Sequence, residues 1–365
     1  MEMLRRFNKC RLIGFLRKPR LGVGLLLVLM LTGIPFLVDY AQEWTLRRDP
    51  TPITNGSIVQ MRARAVSFNM EVFRHNASKY YLIPNTNACD GPDVFLVSFV
   101  ISKTGHFQSR EAIRQSWASV KDVQGHTVLI LFALGVPEST EEQERIEEES
   151  SQYKDVVQGV FRDTYHNLTL KTIMIMQWFG TYCPAARYLL KVDDDVFLNY
   201  HNLMEHLIGL SDDSEDLYLG WVHRRVRPVR NKNDLYYVSE SVYSKDVYPD
   251  YCSGTSYVVS KDVVLKVYVA ALTTPLITIE DVFVGLCAHK MGVSPTHTSK
   301  ISGPVRFHLN QCCYKSIYAS HHIKPGEFLK IWKLVNDGSR CSLLAKYTGL
   351  FMCKALALLS PVINQ

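Results

Sequence analysis

The chain has 365 residues, too many for one small domain and enough for one large α/β domain with appendages. Its formal net charge is +6, and the first 20 residues, with seven basic side chains and one acid, already account for it. The remaining 34 basic and 34 acidic residues balance. The basic charge therefore gives no support for nucleic-acid binding, and no nucleic-acid partner is predicted.

An apolar segment near the N-terminus predicts a membrane anchor. Residues 21–38 run for 18 positions without a charge, about the lower limit for a membrane-spanning helix. The basic residues precede this segment, so the positive-inside rule places residues 1–20 in the cytosol and the rest of the chain across the membrane. A cleaved signal peptide is the alternative, but it usually has a shorter apolar region that ends in small residues. We therefore predict an uncleaved signal anchor.

The region after the anchor predicts a stem and an oxidising environment. Residues 39–88 have no sustained period and are typical of a segment that holds a domain off the membrane. Glycosylation sequons begin at Asn55, Asn76 and Asn167, although helix packing could bury the third. Eight of the nine cysteines follow the anchor, which favours disulfides without fixing the pairs or excluding one or two free, buried thiols.

From residue 93 onward the sequence alternates between strand-like and helix-like segments. Strands are predicted over 94–102, 126–135, 156–161 and from 186 to the acids at 193–195, and helices over 110–117, 141–153 and 167–183. This alternation predicts an α/β domain whose mostly parallel sheet is covered on both sides. Ligands bind such sheets beyond the carboxyl ends of the strands.

Three adjacent carboxylates, Asp193, Asp194 and Asp195, stand at such an end, inside an otherwise apolar run. Buried like charges repel each other unless a positive charge lies between them. Strand geometry sends Asp193 and Asp195 to one face, where two carboxylates suit Mg²⁺ or Mn²⁺ bridging a diphosphate. A solvated acidic loop is the alternative interpretation of the same three residues.

A second acidic pair, Glu280 and Asp281, begins an apolar, helix-like stretch over 277–292. Acids at a helix N-terminus are common because they interact favourably with the helix dipole, and this structural role is one interpretation. The functional interpretation makes one of the two carboxylates the general base for an acceptor hydroxyl.

Several segments of the chain occur together in one order. They are REAIRQSW (110–117), LTLKT (168–172), KVDDDVFLN (191–199), YPDYCSGTSYVVS (248–260) and EDVFVGLC (280–287). Together they resemble the β-1,3-glycosyltransferases, which include β-1,3-galactosyltransferases, β-1,3-N-acetylglucosaminyltransferases and Brainiac-like enzymes. The resemblance covers roughly residues 90–335.

This resemblance implies the fold, the ligands and the location of the protein. We expect a GT-A type nucleotide-sugar-binding domain over residues 89–341, followed by a C-terminal extension over 342–365 of unknown role. The expected ligands are a UDP-sugar and Mn²⁺, with Mg²⁺ as an alternative. The expected location is the Golgi membrane, with one anchor helix and the catalytic domain in the lumen.

The resemblance also implies roles for the acids and for one histidine. Asp195 would bind the metal directly, Asp193 would lie near the metal and the nucleoside, and Asp194 would support the nucleotide site. His321 would complete the metal site, and its neighbour His322 is the alternative that the sequence does not exclude.

Four further residues receive roles from the same resemblance. Asp281 would be the catalytic base, with Glu280 beside it. Arg110 and Arg114 lie one helical turn apart and would lie near the nucleotide, with a structural salt bridge as the alternative.

The implied reaction is an inverting transfer of a hexose from the UDP-sugar to the 3-hydroxyl of a glycan on a glycoprotein or glycolipid. Galactose is favoured, and N-acetylglucosamine or N-acetylgalactosamine are the alternatives. Residues 221–247 are expected to line the acceptor cleft, or else to form a solvated loop. A non-catalytic Golgi binding protein or chaperone is the alternative of another class, and a homo-oligomer is left open.

Overall fold

The computed structural model describes residues 80–91, 93–210 and 215–359. The predicted cytosolic tail, the anchor and most of the stem, with the sequons at Asn55 and Asn76, lie outside these ranges. Within them, every helix is too short or too polar to cross a lipid bilayer.

The described ranges contain eleven strands and nine α-helices. The strands are β1 (Tyr81–Ile83), β2 (Val94–Ile101), β3 (Asp122–Val123), β4 (His126–Val136), β5 (Val156–Arg162), β6 (Tyr188–Asp193), β7 (Phe197–Leu198), β8 (Tyr218–His223), β9 (Tyr251–Ser260), β10 (Thr296–His297) and β11 (Ala319–Ser320). The helices are α1 (Phe107–Arg114), α2 (Thr140–Tyr153), α3 (Leu168–Tyr182), α4 (Tyr200–Ile208), α5 (Lys261–Ala271), α6 (Glu280–Lys290), α7 (Gln311–Tyr314), α8 (Pro325–Val335) and α9 (Leu343–Leu359).

Nine of these strands form one mixed sheet in the order β1-β5-β4-β2-β6-β9-β8-β10, with β3 paired to β4. Strands β5, β4, β2 and β6 run parallel. Strand β9 runs antiparallel between β6 and β8. Strands β7 and β11 form a separate antiparallel pair. The mostly parallel sheet predicted from the alternation is therefore confirmed, with an antiparallel insertion at β9.

The sheet is buried on both faces, as parallel strands require. Along β2, Val97 and Phe99 face one core, which α3, α5 and α6 cover. Leu96 and Val100 face a second core on the other side of the sheet, which α1, α4, α8 and α9 cover. This alternation follows from the two-residue period of a strand.

Disulfides join three pairs of cysteines in the described chain. They are Cys89–Cys183, Cys312–Cys341 and Cys313–Cys353. Cys252 and Cys287 are free and buried. The predicted disulfides are thus present, together with the two free thiols that the sequence left open.

A glycine allows helix α6 to lie unusually close to strand β9. A Cβ atom at Gly285 would lie 2.3 Å from Cβ of Tyr251 and 3.3 Å from its Cα. These atoms are fixed by the backbone of β9 and cannot move aside as a flexible side chain would. Because α6 begins at Glu280, the same close approach fixes where the two acids at its N-terminus lie relative to the sheet.

We expect Gly285→Ala to lower the free energy of unfolding by about 1–3 kcal/mol, because the added methyl overpacks the interface between α6 and β9. Chemical denaturation of the full chain measures this. The matched control is Gly326→Ala in α8, where a Cβ meets no atom within 4 Å. That variant should be neutral or more stable by up to about 1 kcal/mol. Equal effects at the two positions would contradict the packing argument.

Candidate active site

The three adjacent aspartates point to different partners. Strand β6 ends at Asp193, and Asp194 and Asp195 lie in the turn that follows. The expectation that Asp193 and Asp195 share one strand face is therefore wrong, because the extended geometry on which it depends stops at Asp193. The turn separates the three negative charges, and each acquires its own neighbours.

Asp193 is paired with a buried lysine of its own strand. The Lys191 ammonium lies 2.6 Å from Asp193 Oδ1 and 3.5 Å from Glu280 Oε2, and it donates to the backbone oxygen of Gly254. Burial alone disfavours the charged ammonium, but the carboxylates of Asp193 and Glu280 raise the pKa of Lys191 above its ordinary value. This is the positive charge that three adjacent acids require.

The role of Lys191 was not predicted from the sequence, although a signal was present. A lysine inside an apolar strand is unusual, and the two-residue period places it on the same face as Asp193. Its side chain is only 4% exposed, so the charge is enclosed and depends on its partners.

The pair at the start of α6 has two different environments. Glu280 is buried, and its Oε1 accepts hydrogen bonds from Thr172 (2.9 Å) and Tyr257 (2.7 Å). Within the described ranges, Asp281 accepts hydrogen bonds from two backbone donors, from Gly254 N at 3.1 Å on Oδ2 and from Val282 N at 2.8 Å on Oδ1. Each carboxylate oxygen of Asp281 therefore keeps a lone pair for a further donor.

Two of these acids have raised pKa values. Burial, with the nearby charge of Glu280, raises the pKa of Asp281 to about 6. Burial also raises the pKa of Asp193 to about 6, against the opposing effect of Lys191. A carboxylate with a pKa near 6 is still ionised at neutral pH and is a stronger base than an ordinary aspartate.

Asp194 faces the loop that follows β2. Its Oδ2 accepts a hydrogen bond from Ser102 Oγ at 2.7 Å and lies 2.8 Å from His106 Nδ1. The fully buried Arg110 holds the same loop, because its guanidinium donates to Ser102 Oγ and to the backbone oxygen of Lys103 at 2.7 Å. Asp194 is thus linked through Ser102 to a buried arginine that is itself paired with Glu149 of α2.

Arg110 and Arg114 both use their donors inside the protein. Arg110 Nη2 lies 2.6 Å from Glu149 Oε2, and Arg114 Nη2 lies 2.7 Å from Glu149 Oε1. Arg114 also binds Asp155 through two hydrogen bonds of 2.8 Å. These contacts correspond to the structural salt bridge that the sequence left open, and a direct contact with a nucleotide stays a prediction.

Asp195 lies in a cluster of potential metal ligands. Its Oδ2 is 3.2 Å from His321 Nε2 and 3.7 Å from His322 Nδ1. One ligand atom from each residue lies within 4.8 Å of the others. The pairing of β7 with β11 brings these residues together, because Ser320 is opposite Phe197. Asp193 was also predicted to belong to the metal site, but it is not a member of this cluster, because its carboxylate is paired with Lys191.

Asp195, His321 and His322 offer one carboxylate and two imidazoles, which suit a divalent cation that binds nitrogen as well as oxygen ligands. Among the described residues, His321 Nδ1 is buried without a hydrogen-bond partner, while the other ring nitrogen, Nε2, faces Asp195. Two imidazoles beside one carboxylate disfavour Mg²⁺, which prefers oxygen ligands, and suit a transition metal better. The two histidine rings are stacked with centroids 3.8 Å apart.

Two tyrosines that were not predicted from the sequence lie close to the acids. The rings of Tyr165 and Tyr236 meet edge to face with centroids 6.4 Å apart. The pKa of Tyr165 is raised by burial, by a hydrogen bond with Tyr236 and by the charges of Asp281 and Asp193. Both rings are also partly exposed, and Tyr236 belongs to the segment 221–247 that was expected to line the acceptor cleft.

The sequon at Asn167 lies at the start of α3. Asn167 Nδ2 donates to the backbone oxygen of Arg162, and the sequon's Thr169 is buried and donates to the backbone oxygen of Ile277. Glycosylation at this position stays a prediction.

Asp281→Asn should stabilise the metal-free protein more at about pH 7 than at about pH 4. Folding raises the pKa of Asp281 from 3.8 to about 6, so the ionised carboxylate destabilises the fold above pH 6, and this effect disappears as the pH falls towards 4. The difference between the two pH values should reach up to about 3 kcal/mol, measured by urea denaturation. An equal effect of the substitution at both pH values would show that Asp281 is not the group that titrates.

Comparison with known proteins identifies the family. The galactosyltransferase family model matches residues 108–299. The chain is 37% identical over 332 residues to β-1,3-galactosyltransferase 9 of Homo sapiens, which covers 91% of this chain and 89% of that protein. It is 37% identical over 315 residues to β-1,3-galactosyltransferase 4 of Rattus norvegicus, covering 76% and 85%.

A third relative is the lactosylceramide 1,3-N-acetyl-β-D-glucosaminyltransferase of Xenopus tropicalis, which is 36% identical over 283 residues and covers 75% of this chain and 74% of that protein. Among solved structures, the WbbM bifunctional glycosyltransferase matches with a TM-score of 0.33 at 11% identity, over 57% of this chain and 39% of that chain. That score is too low to support an argument. The sequence relatives and the family match agree with the resemblance found in the motifs, and the chain belongs to the galactosyltransferase family.

Proposed function

We propose that the protein transfers a hexose, galactose in the first instance, from a UDP-sugar to the 3-hydroxyl of a glycan acceptor and forms a β-1,3 linkage. The names of two relatives support the galactosyl donor and the linkage. The single observation that carries the mechanism is the half-buried Asp281 carboxylate, whose pKa is raised to about 6 and whose two oxygens accept backbone N–H groups.

Asp281 acts as the general base in this proposal. Its carboxylate takes the proton of the acceptor 3-hydroxyl as that oxygen forms a bond to C1 of the sugar. The bond from C1 to the diphosphate oxygen breaks, and UDP leaves with the electron pair. Attack and departure on opposite sides of C1 invert the anomeric centre, and Asp281 later releases the proton to solvent.

The neighbours of Asp281 act by positioning it. Gly254 donates its N–H to Asp281 Oδ2 and accepts from Lys191 through its oxygen. A Cβ at Gly254 would lie 3.0 Å from Glu280 Oε2, so a larger residue would press on the acids. Glu280, held by Thr172 and Tyr257, is a second acid beside the base and is not itself the proton acceptor in this scheme.

Asp195 with His321 and His322 would hold the cation, and we propose Mn²⁺ over Mg²⁺ because two of the three donors are imidazoles. When bound, such a cation stabilises the negative charge of a leaving diphosphate. Asp193 would face the nucleoside and Asp194 would support it through the loop at Ser102, as the motif implies.

The cellular setting belongs to the same proposal. We propose a GT-A type domain over residues 89–341 in the Golgi lumen, anchored by residues 21–38 and separated from the membrane by the stem. N-Acetylglucosamine is the alternative donor sugar, because one relative is named for its transfer to lactosylceramide. That name also supports a glycolipid as one of the two acceptor classes.

The full chain with Mn²⁺ should transfer sugar from one of UDP-galactose, UDP-N-acetylglucosamine and UDP-N-acetylgalactosamine to an N-acetylhexosamine acceptor. Asp281→Asn should keep UDP binding and lower kcat by about 100-fold or more, because the general base is lost. The control is Asp250→Asn, which changes an exposed aspartate directly before β9. This variant should keep kcat within about twofold of the unsubstituted protein. The assay measures the rate of product formation for each combination of donor and acceptor. Full activity of the Asp281→Asn variant would show that Asp281 is not the general base.

Mn²⁺ and UDP together should raise the melting temperature of the full chain, because ligands that bind only the folded state stabilise it by about 3 kcal/mol at 100 times their Kd. Asp195→Asn should lose the part that depends on Mn²⁺, since it removes one of three ligands. Asp250→Asn is again the control, and its melting temperature should rise by as much as that of the unsubstituted protein. A shift unchanged in Asp195→Asn would place the metal elsewhere.

A further inference from the structure

The two histidines of the candidate metal site are both held by one short segment, residues 302–304, which follows strand β10. The backbone N–H of His321 donates a hydrogen bond to Ser302 Oγ at 2.9 Å. The ring nitrogen Nε2 of His322 lies 3.2 Å from the backbone oxygen of Pro304. The positions of both imidazoles therefore depend on where this segment lies.

The contact with Pro304 also determines which nitrogen of His322 can bind a cation. A carbonyl oxygen only accepts hydrogen bonds, so Nε2 carries the proton of the neutral ring. The other nitrogen, Nδ1, then keeps its lone pair, and it is Nδ1 that lies 3.7 Å from Asp195 Oδ2. Histidines that bind metals commonly donate their second ring N–H to a backbone carbonyl in this way, which orients the ring.

Gly303, between Ser302 and Pro304, packs directly against the indole of Trp221 in β8. Its φ is 58°, and a Cβ built on it would lie 2.4 Å from Trp221 Cγ and 2.5 Å from Cδ1. The backbone and the ring are thus in contact, with no space for a methyl group between them. The indole is partly buried against the core that also contains β7 and β11, and it meets the ring of His297 with centroids 4.9 Å apart.

We propose that Trp221 is a positioning residue of the metal site. Its indole holds the backbone at Gly303 and thereby sets Ser302 Oγ and the oxygen of Pro304 at the places where they meet the two histidines. Trp221 is also the first residue of the segment 221–247, so one side chain connects the expected acceptor cleft with the cation site. The inference rests on the proposed metal site and concerns the affinity for the cation, not the proton transfer.

The test measures the Kd of Mn²⁺ for the metal-free full chain by electron paramagnetic resonance, which detects free Mn²⁺. Trp221→Ala should weaken binding about 10-fold or more, because loss of the groups that orient metal ligands typically costs about 10–100-fold in affinity. Trp221→Phe keeps a flat ring against the glycine and should recover most of this affinity. The control for lost packing is Trp332→Ala in α8, since Trp332 is also partly buried against the same core. It should leave the Kd unchanged.

Two glycine substitutions test the same contact without removing the indole, and they decide the question if Trp221→Ala does not fold. Gly303→Ala should weaken Mn²⁺ binding, because the methyl group would push the segment 302–304 away from the ring. The matched control is Gly125→Ala, since Gly125 also has a positive φ, 81°, but a Cβ there meets no atom of the described chain within 4 Å. Both alanines carry the strain of a positive φ, so a difference in Kd reports the contact with Trp221.

A weaker affinity for Mn²⁺ in Trp221→Ala and Gly303→Ala, with both controls unchanged, is the expected result. Unchanged affinities in these two variants, or an equal loss in Trp332→Ala and Gly125→Ala, would overturn the role of Trp221 and leave the metal site in place. Asp195→Asn identifies the site that the Mn²⁺ occupies. If the unsubstituted protein does not bind Mn²⁺, or if Asp195→Asn binds it equally well, the proposed metal site fails and this inference fails with it.

Discussion

The buried ammonium of Lys191 joins three parts of the chain that supply the proposed active site. It reaches Asp193 at the end of β6, Glu280 at the start of α6 and the backbone oxygen of Gly254 in β9. Removal of one partner from a buried ion pair typically costs about 3–5 kcal/mol, because the remaining charge is left without compensation. The ammonium of Lys191 therefore offsets the repulsion between the acids at the end of β6 and those at the start of α6, and allows them to lie close together.

Asp281 makes no ion pair with Lys191, unlike Asp193 and Glu280, and its pKa is raised. Its oxygens receive backbone N–H groups from Gly254 and Val282, but burial and the adjacent Glu280 still raise its pKa. The same environment that makes the carboxylate a better base makes it a less stable part of the fold. Stability and the proposed catalysis are opposed at this residue, as is common at functional sites.

The regular elements could be predicted from the sequence, whereas the partners within the site could not. Strands β2, β4 and β5 agree with their predicted bounds to within one residue, since each is a continuous apolar run. Helix α1 begins at Phe107 and ends at Arg114, three residues before each predicted bound, and Trp117, predicted as its last residue, begins a separate 3-10 turn. The family match and the β-1,3-glycosyltransferase resemblance agree because several motifs occur in one order.

The missing parts of the site depend on contacts between distant segments. Gly254, the partner of Lys191, lies 63 positions away along the chain, and no local pattern relates the two. Tyr165, just before α3, meets Tyr236 only because the segment 221–247 comes back beside it in the fold. His322 enters the ligand cluster through a left-handed backbone with a φ of 59°, which a sequence pattern does not indicate.

The adjacent cysteines Cys312 and Cys313 have a consequence for the covalent structure of the mature protein. Because they pair with Cys341 and Cys353, residues 313–341 lie inside two overlapping covalent loops and residues 342–353 lie inside one. A single proteolytic cut between residues 341 and 353 would leave the C-terminal fragment attached through Cys353. Such a nicked chain would run as one species on a non-reducing gel and as two after reduction, while helix α9 stayed bound to the domain.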